Sequence, residues 1–204
     1  MNWSQRLALA CDEHAGLKVR RRVVTGFDEI DRTDPEAVAR WLTGAVERLK
    51  DIVDDSTFER ILSDCACTFP EHGIEALRRL REKGATIDKL LEAMENSDER
   101  LGWTLYPHFK RRGDQLLVTK VPFDAEAFEA AVDARARRQA YCHCPLVRNA
   151  ETLMHRDYCL CGSGWFRQLW EGVLGVEVRI SVERSVAAGD EDCTFIVHLP
   201  AGLE

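Results

Sequence analysis

The sequence predicts an α+β protein, with a helical N-terminal half followed by an antiparallel sheet and flanking helices. Three observations predict it. Apolar residues recur at helical spacing through the first hundred positions, the pattern changes to period two after Gly102, and the clearest alternating stretches are separated by glycine-containing turns. Strands joined by short turns argue for an antiparallel sheet rather than a doubly wound fold.

Taken in order, Leu7, Ala8 and Cys11 share an amphipathic helix, in which Cys11 reads as a small buried hydrophobe. Asp34-Pro35 starts a helix, with a capping carboxylate followed by proline at the first helical position, and Val38, Trp41, Leu42, Ala45, Leu49 and Ile52 follow as its core stripe. Ser56 opens a segment with Phe58, Ile61 and Leu62. Ile74, Leu77 and Leu80 form another that stops at Gly84, and Thr86 caps one through Leu90, Leu91 and Met94.

Trp103 to Phe109 and Gln115 to Val121 then flank Arg111-Arg112-Gly113-Asp114 as a β-hairpin. Asp124 to Arg138 returns to a helical pattern, and Ala140 to Leu146 reads as a strand made an edge by Pro145. Gly164 to Leu174 is an amphipathic helix ended by Gly175. Glu177 to Val186 and Cys193 to Leu199 form a last hairpin around Gly189-Asp190. Residues 1–101 are therefore expected as a helical region and 102–204 as a cysteine-rich α+β region, together one folding unit of 204 residues.

A net charge of -7 argues against nucleic acid as a partner, since phosphate binding draws on clustered Lys and Arg. The basic runs Lys18 to Arg22 and Lys110 to Arg112 read as solvated surface. No signal-peptide pattern follows Met1, and no stretch approaches the roughly 18 apolar residues of a membrane span, so a soluble cytoplasmic protein is expected.

Eight cysteines are many for a reducing compartment, where stable disulfides are rare. Seven form a pattern: Cys65-Ala-Cys67, Cys142-His-Cys144-Pro, Cys159-Leu-Cys161-Gly and Cys193. On a strand, Cys142 and Cys144 would project to one side as a two-sulfur claw. Cys159 and Cys161 make a second claw at a helix start, where free amides and the helix dipole favour thiolate. C-x-C spacing is not that of a usual zinc ribbon, so metal binding, thiol chemistry and plain burial of reduced cysteines all stay open, burial being favoured for Cys193. His72 is a weaker candidate. His155, between the claws, is a candidate fourth ligand or proton carrier, and Glu183, which shares a strand face with Ser185, is a candidate pocket carboxylate or a solvated side chain.

The run Cys142-x-Cys144-Pro-Leu-Val-Arg148, with Tyr158-Cys-x-Cys-Gly-x-Gly-Trp165, Trp170-Glu-Gly-x-Leu-Gly175 and Gly189-Asp190-x-x-Cys193-Thr-Phe195-Ile-Val-His198, resembles the bacterial L-2-amino-thiazoline-4-carboxylic acid hydrolase family over about residues 100 to 200. That group is in turn similar to the 4-vinyl reductase small-molecule-binding domains. Those domains have an antiparallel sheet with flanking helices and, in some members, a cysteine-ligated zinc, and the resemblance implies an α+β fold and a small-molecule pocket next to the cysteines.

The leading expectation is thus a zinc site built from Cys142, Cys144, Cys159 and Cys161, hydrolysing a carbon-nitrogen or carbon-sulfur bond with His155 or Glu183 moving protons. Four thiolates leave zinc no water position, so catalysis requires one of them to stay free or be replaced by His155. A non-catalytic ligand-sensing module with structural zinc and an iron-sulfur or thiol-redox protein are the alternatives. The small-molecule partner is expected to be a carboxylate held by Arg148 and by the amides of a helix start at Gly162 to Gly164, beside Trp165.

Overall fold

The computed structural model describes residues 2–96 and 108–203. Its fold is α+β, with a four-stranded antiparallel sheet and flanking helices. Six helices come first: α1 (Trp3–His14), α2 (Leu17–Val23), α3 (Pro35–Lys50), α4 (Asp55–Asp64), α5 (Glu71–Glu82) and α6 (Ile87–Glu95). Local chemistry sets their ends. The Asp34 carboxylate accepts from Glu36 N–H at the start of α3, Thr86 caps α6 through Lys89 N–H, and Gly84 takes φ +86 after α5. Asp54 rather than Ser56 opens α4, its carboxylate accepting from Thr57 N–H. The basic run at Lys18 lies in α2, a helix that its lack of apolar periodicity concealed.

Strands β1 (His108–Arg112) and β2 (Gln115–Thr119) form the expected hairpin with a tighter turn: Gly113, at φ +61, and Asp114 alone join them. Trp103 to Pro107, assigned to this hairpin from sequence, lie outside the described residues. Strands β3 (Arg179–Arg184) and β4 (Thr194–His198) complete a sheet ordered β1-β2-β4-β3. Leu116 pairs with Val197 and Val118 with Phe195, so two buried rows meet on one face. Lys110, Arg111 and Arg112 lie on the edge strand β1, where charge discourages pairing with another chain.

Between the hairpins lie α7 (Ala125–Ala130), α8 (Ala134–Tyr141), α9 (Pro145–Arg148) and α10 (Leu160–Leu174). The expected single helix from Asp124 to Arg138 is two, because Asp133 caps a fresh start by accepting from Ala136 N–H. Ala140 to Leu146 is not a strand. It is the end of α8, a three-residue link and the start of α9, whose first position is Pro145, a residue that helix starts tolerate as readily as strand edges do.

Helix α10 organises the core. Phe166, Leu169, Trp170 and Val173 are buried along it, and one hydrophobic cluster joins them to Ile61 and Leu62 of α4, Leu77 of α5, and Phe195 and Val197 of β4. Beside this core, Asp64 at the end of α4 accepts from Arg167 of α10 and from His14 Nε2–H (2.5 Å), tying three helices together. Burial alone would raise the Asp64 pKa, but the hydrogen bonds from Arg167 and His14 outweigh it and hold the carboxyl below its ordinary value. With the folded pKa below the unfolded one, this stabilisation is present above the unfolded pKa and fades as pH falls through the folded value. Asp64→Asn is expected to lower stability by about 1–3 kcal/mol at pH 7 and by less toward pH 3. Urea titrations at the two pH values check it, and an equal loss at both would contradict the ionic account.

Candidate functional site: a cysteine cluster

Four separate segments carry cysteines into one region. Cys142 caps the C-terminal end of α8, its N–H bonding Arg138 O at 3.0 Å, and Cys144 is the N-cap residue of α9. Cys159 ends a 3-10 turn and precedes α10, Cys161 lies in the first turn of α10, and Cys193 immediately precedes β4. The link between α8 and α9 is pinned on both sides. Tyr141 Oη donates to Lys120 O and accepts from Cys193 N–H at 3.2 Å, His143 Nε2–H donates to Val121 O at 2.9 Å, and buried Arg138 donates to Ala150 O at 3.0 Å.

The sulfurs have named neighbours. Ser185 Oγ–H donates to Cys159 Sγ at 2.9 Å, and the adjacent Val186 N–H donates to Cys193 Sγ at 3.5 Å. Cys144 Sγ lies 3.4 Å from Tyr158 Oη. Burial drives the thiol pKa values up, to about 12 for Cys142 and Cys161, well above the ordinary value for Cys159, and upward for Cys193. The thiols also act on one another. Cys193 and Cys144 raise Cys142; Cys193, Cys161 and Cys142 raise Cys159; Cys144 and Cys67 raise Cys161. Cys65 is pushed up by burial and then by Cys161, so the helical-half pair reaches the cluster, a relation that sequence distance hides.

Cations oppose these effects, Arg6 at Cys65 and Lys120 at three other thiols. Lys120, just beyond β2, favours the thiolates of Cys142, Cys161 and Cys193, and its Nζ stands 5.1 Å from the Phe195 ring centroid. No motif marks Lys120 in the sequence. A second group also eluded sequence reading: the buried Trp3 indole N–H lacks a hydrogen-bond partner among the described residues, yet its dipole lowers the Cys161 pKa. The contact is therefore looser than a regular hydrogen bond. Trp3 also stacks on Tyr158, with ring centroids 5.1 Å apart.

The other expected residues are distributed differently. Arg148 stacks its guanidinium on Phe123, 3.7 Å from the ring centroid, on the His143 side of the link. Helix α10 begins at Leu160, so Gly162 and Gly164 lie inside it and do not precede it. Their bareness serves packing: a Cβ on Gly162 would stand 3.0 Å from Phe195 Cζ, and one on Gly164 would overlap Ser63 O. Trp165 stacks on Phe69 at 4.1 Å. His155 Nδ1 accepts from Asp157 N–H at 3.1 Å, capping the 3-10 turn. Glu183 is exposed, while Ser185, expected on the same strand face, is fully buried beyond the end of β3, after the register shift between Val182 and Arg184. His72 is exposed.

A cavity of about 350 Å³ opens between α4, α10 and β3, lined among others by Glu59, Arg60, Ser163, Arg167, Glu171 and Arg179. Leu160, Ser163, Arg167 and Glu171 form one stripe of α10, on the opposite side of the helix from Cys161, Gly162 and Trp165. The groove is charge-balanced and separate from Arg148.

Among the described residues, no three His, Cys, Asp or Glu side chains stand in an arrangement that could hold a metal ion as they are. No helix among them is long and apolar enough to cross a membrane. Residues 133–201 match a protein family of unknown function, DUF6144. That stretch contains Cys142, Cys144, Cys159, Cys161 and Cys193, but not Lys120 or Trp3. No curated protein and no solved structure matches the chain.

Proposed function

We propose that the protein binds a thiophilic metal ion, zinc by default, through the two C-x-C pairs, in a site that stabilises and shapes a binding module rather than one that runs a reaction. Support comes from the hydrogen bonds of two consecutive residues, Ser185 to Cys159 and Val186 to Cys193, together with the influence of thiols across separate segments, Cys142 and Cys161 on Cys159 and Cys144 on Cys161. Soft sulfur donors suit zinc, and hydroxyl and amide donors directed at Cys159 and Cys193 resemble the outer contacts that steady metal-bound thiolates. Lys120 supplies positive charge where a zinc-thiolate group carries excess negative charge.

A bound zinc supplies Lewis acidity as well as cross-linking. The chain's own residues favour the second use. Neither His155 nor Glu183 is among the principal groups acting on the thiols, and hydrolysis rests on the resemblance to the thiazoline carboxylate hydrolases alone. Elemental analysis of chelator-free protein is expected to find about one zinc per chain, lost in Cys142→Ser/Cys159→Ser. Native protein that neither retains nor takes up zinc would sink the proposal, and a brown protein carrying iron would replace it with a cluster of iron and sulfur.

A further inference from the structure

Strand β3 is an edge of the sheet, paired with β4 on one side. That pairing uses the N–H and C=O groups of alternate residues, and the others point away from the sheet. Side chains meet the backbone at either end: Glu171 accepts from Val178 N–H at 3.2 Å, and Arg156 donates to Glu183 O at 3.1 Å. Between them, no group among the described residues bonds the outward N–H and C=O of residues 179–182. The space beside this stretch is hollow. The cavity between α4, α10 and β3 is followed by a second of about 230 Å³, lined in part by Lys50, Phe58, Asp157, Ser181 and Val182, and the two share Glu59 and Leu160. Together they run along residues 177–182, a length of about 20 Å for extended chain. Helix α4 is the floor, presenting Ser56, Glu59, Arg60 and Ser63 at helical spacing, and Arg179 reaches down to Glu59 at 3.5 Å. Two floor groups are under-used. Ser63 is only 6 % exposed, yet its hydroxyl makes no hydrogen bond among the described residues, and Arg60 approaches Asp64 only to 3.9 Å, a carboxylate that Arg167 and His14 engage more closely.

We propose that this slot takes one extended peptide segment of another protein, which adds to β3 as a fifth strand over α4 and sets an acidic side chain against Arg60 and the Ser63 hydroxyl. Main-chain hydrogen bonds to the open edge supply affinity, and every second side chain of the segment enters the hollows. The floor chooses among partners. Its hydroxyls and charges give apolar side chains little to bury against, while the loosely held Arg60 favours a carboxylate. The position of α4 also decides against a second copy of this chain, because the β3 edge of a copy would bring its own α4 onto this one, whereas a lone strand carries nothing beneath it. This binding surface is independent of the thiol metal site.

Selection from a displayed library of random hexapeptides against the full-length reduced protein, followed by calorimetry of the selected peptides, tests the proposal. The selected peptides are expected to carry Asp or Glu at one fixed position. Methylating their backbone nitrogens one at a time should weaken binding about tenfold at alternate positions and little at those between, because only every second N–H of an added strand reaches the edge. Arg60→Glu should weaken binding about tenfold, and exchanging the acid of the peptide for Lys should restore binding to that variant but not to the native protein. Arg60→Ala is the milder companion, circular dichroism checks the fold of both, and the methylation pattern is read on native protein and depends on neither. A library that yields no binder, binders indifferent to which nitrogens are methylated, or binders unaffected by both folded Arg60 variants would overturn the proposal. Sedimentation that finds a dimer dissolved by Arg60→Glu would overturn it too, since a second copy would then hold the edge.

Discussion

Gly164→Ala is expected to cost at least about 3 kcal/mol, enough to lower Tm by more than about 6 °C in a chain of this size. Where α10 crosses α4, a Cβ at this position would sit 1.8 Å from Ser63 O and 2.7 Å from the Ser63 carbonyl carbon. Those are backbone atoms, so no rotamer change relieves the overlap, and the two helices must separate. Separation opens the contact between Ile61 and Leu62 on one side and Phe166 and Leu169 on the other, all of them fully buried. Gly44→Ala is the control. There the approaching atom is the flexible end of Arg48, 3.0 Å away, and the helical propensity of alanine works in its favour, so stability should stay within about 1 kcal/mol of native. Thermal and urea unfolding of the two variants compare them, and a Gly164→Ala protein as stable as Gly44→Ala would refute the close crossing.

Trp170→Ala should cost about 3–5 kcal/mol, since the largest fully buried side chain among the described residues would be exchanged for a methyl group and leave a cavity. Its ring meets Phe109 edge-on at 5.9 Å and so joins α10 to the first strand of the sheet. Trp170→Phe should cost far less, about 1–2 kcal/mol. The buried indole N–H has no hydrogen-bond partner among the described residues, and phenylalanine removes that unsatisfied donor while keeping most of the ring. Urea midpoints at constant slope measure both. A phenylalanine variant as damaged as the alanine one would mean that the indole N–H is satisfied.

Elements with one dominant local signal were legible in the sequence. Asp34-Pro35, Thr86 and Gly84 mark helix ends through chemistry confined to a few residues, and alternation around Gly113 and Gly189 marks the strands. The link at Cys142 was misread because its signals conflict. Cysteine, tyrosine and a following proline fit an edge strand as well as they fit a helix end and a fresh helix start, and only the bonds of Tyr141, His143 and Arg138 to residues about ten to fifty positions away choose between them. The same limit applies to the site. The C-x-C pairs stand out in the sequence, and Cys142 and Cys161 act on Cys159 as Cys144 acts on Cys161, but Lys120 and Trp3 have no neighbouring motif. They join the cluster only because the strand pairing and the packing of α1 bring them there, and Arg148 was preferred for its nearness in sequence.

The strand order has a consequence for how the chain is made. β2 is an inner strand of the sheet, and its partner on the open side is β4, with Thr119 and Thr194 joined across 75 positions of sequence. At ordinary translation rates the first hairpin therefore waits roughly 4 to 15 s for that partner. Throughout the wait Leu116 and Val118 lack half of their cover, and a row of β2 amides and carbonyls lies open to any passing strand. Only the arrival of β4 closes that open edge of β2.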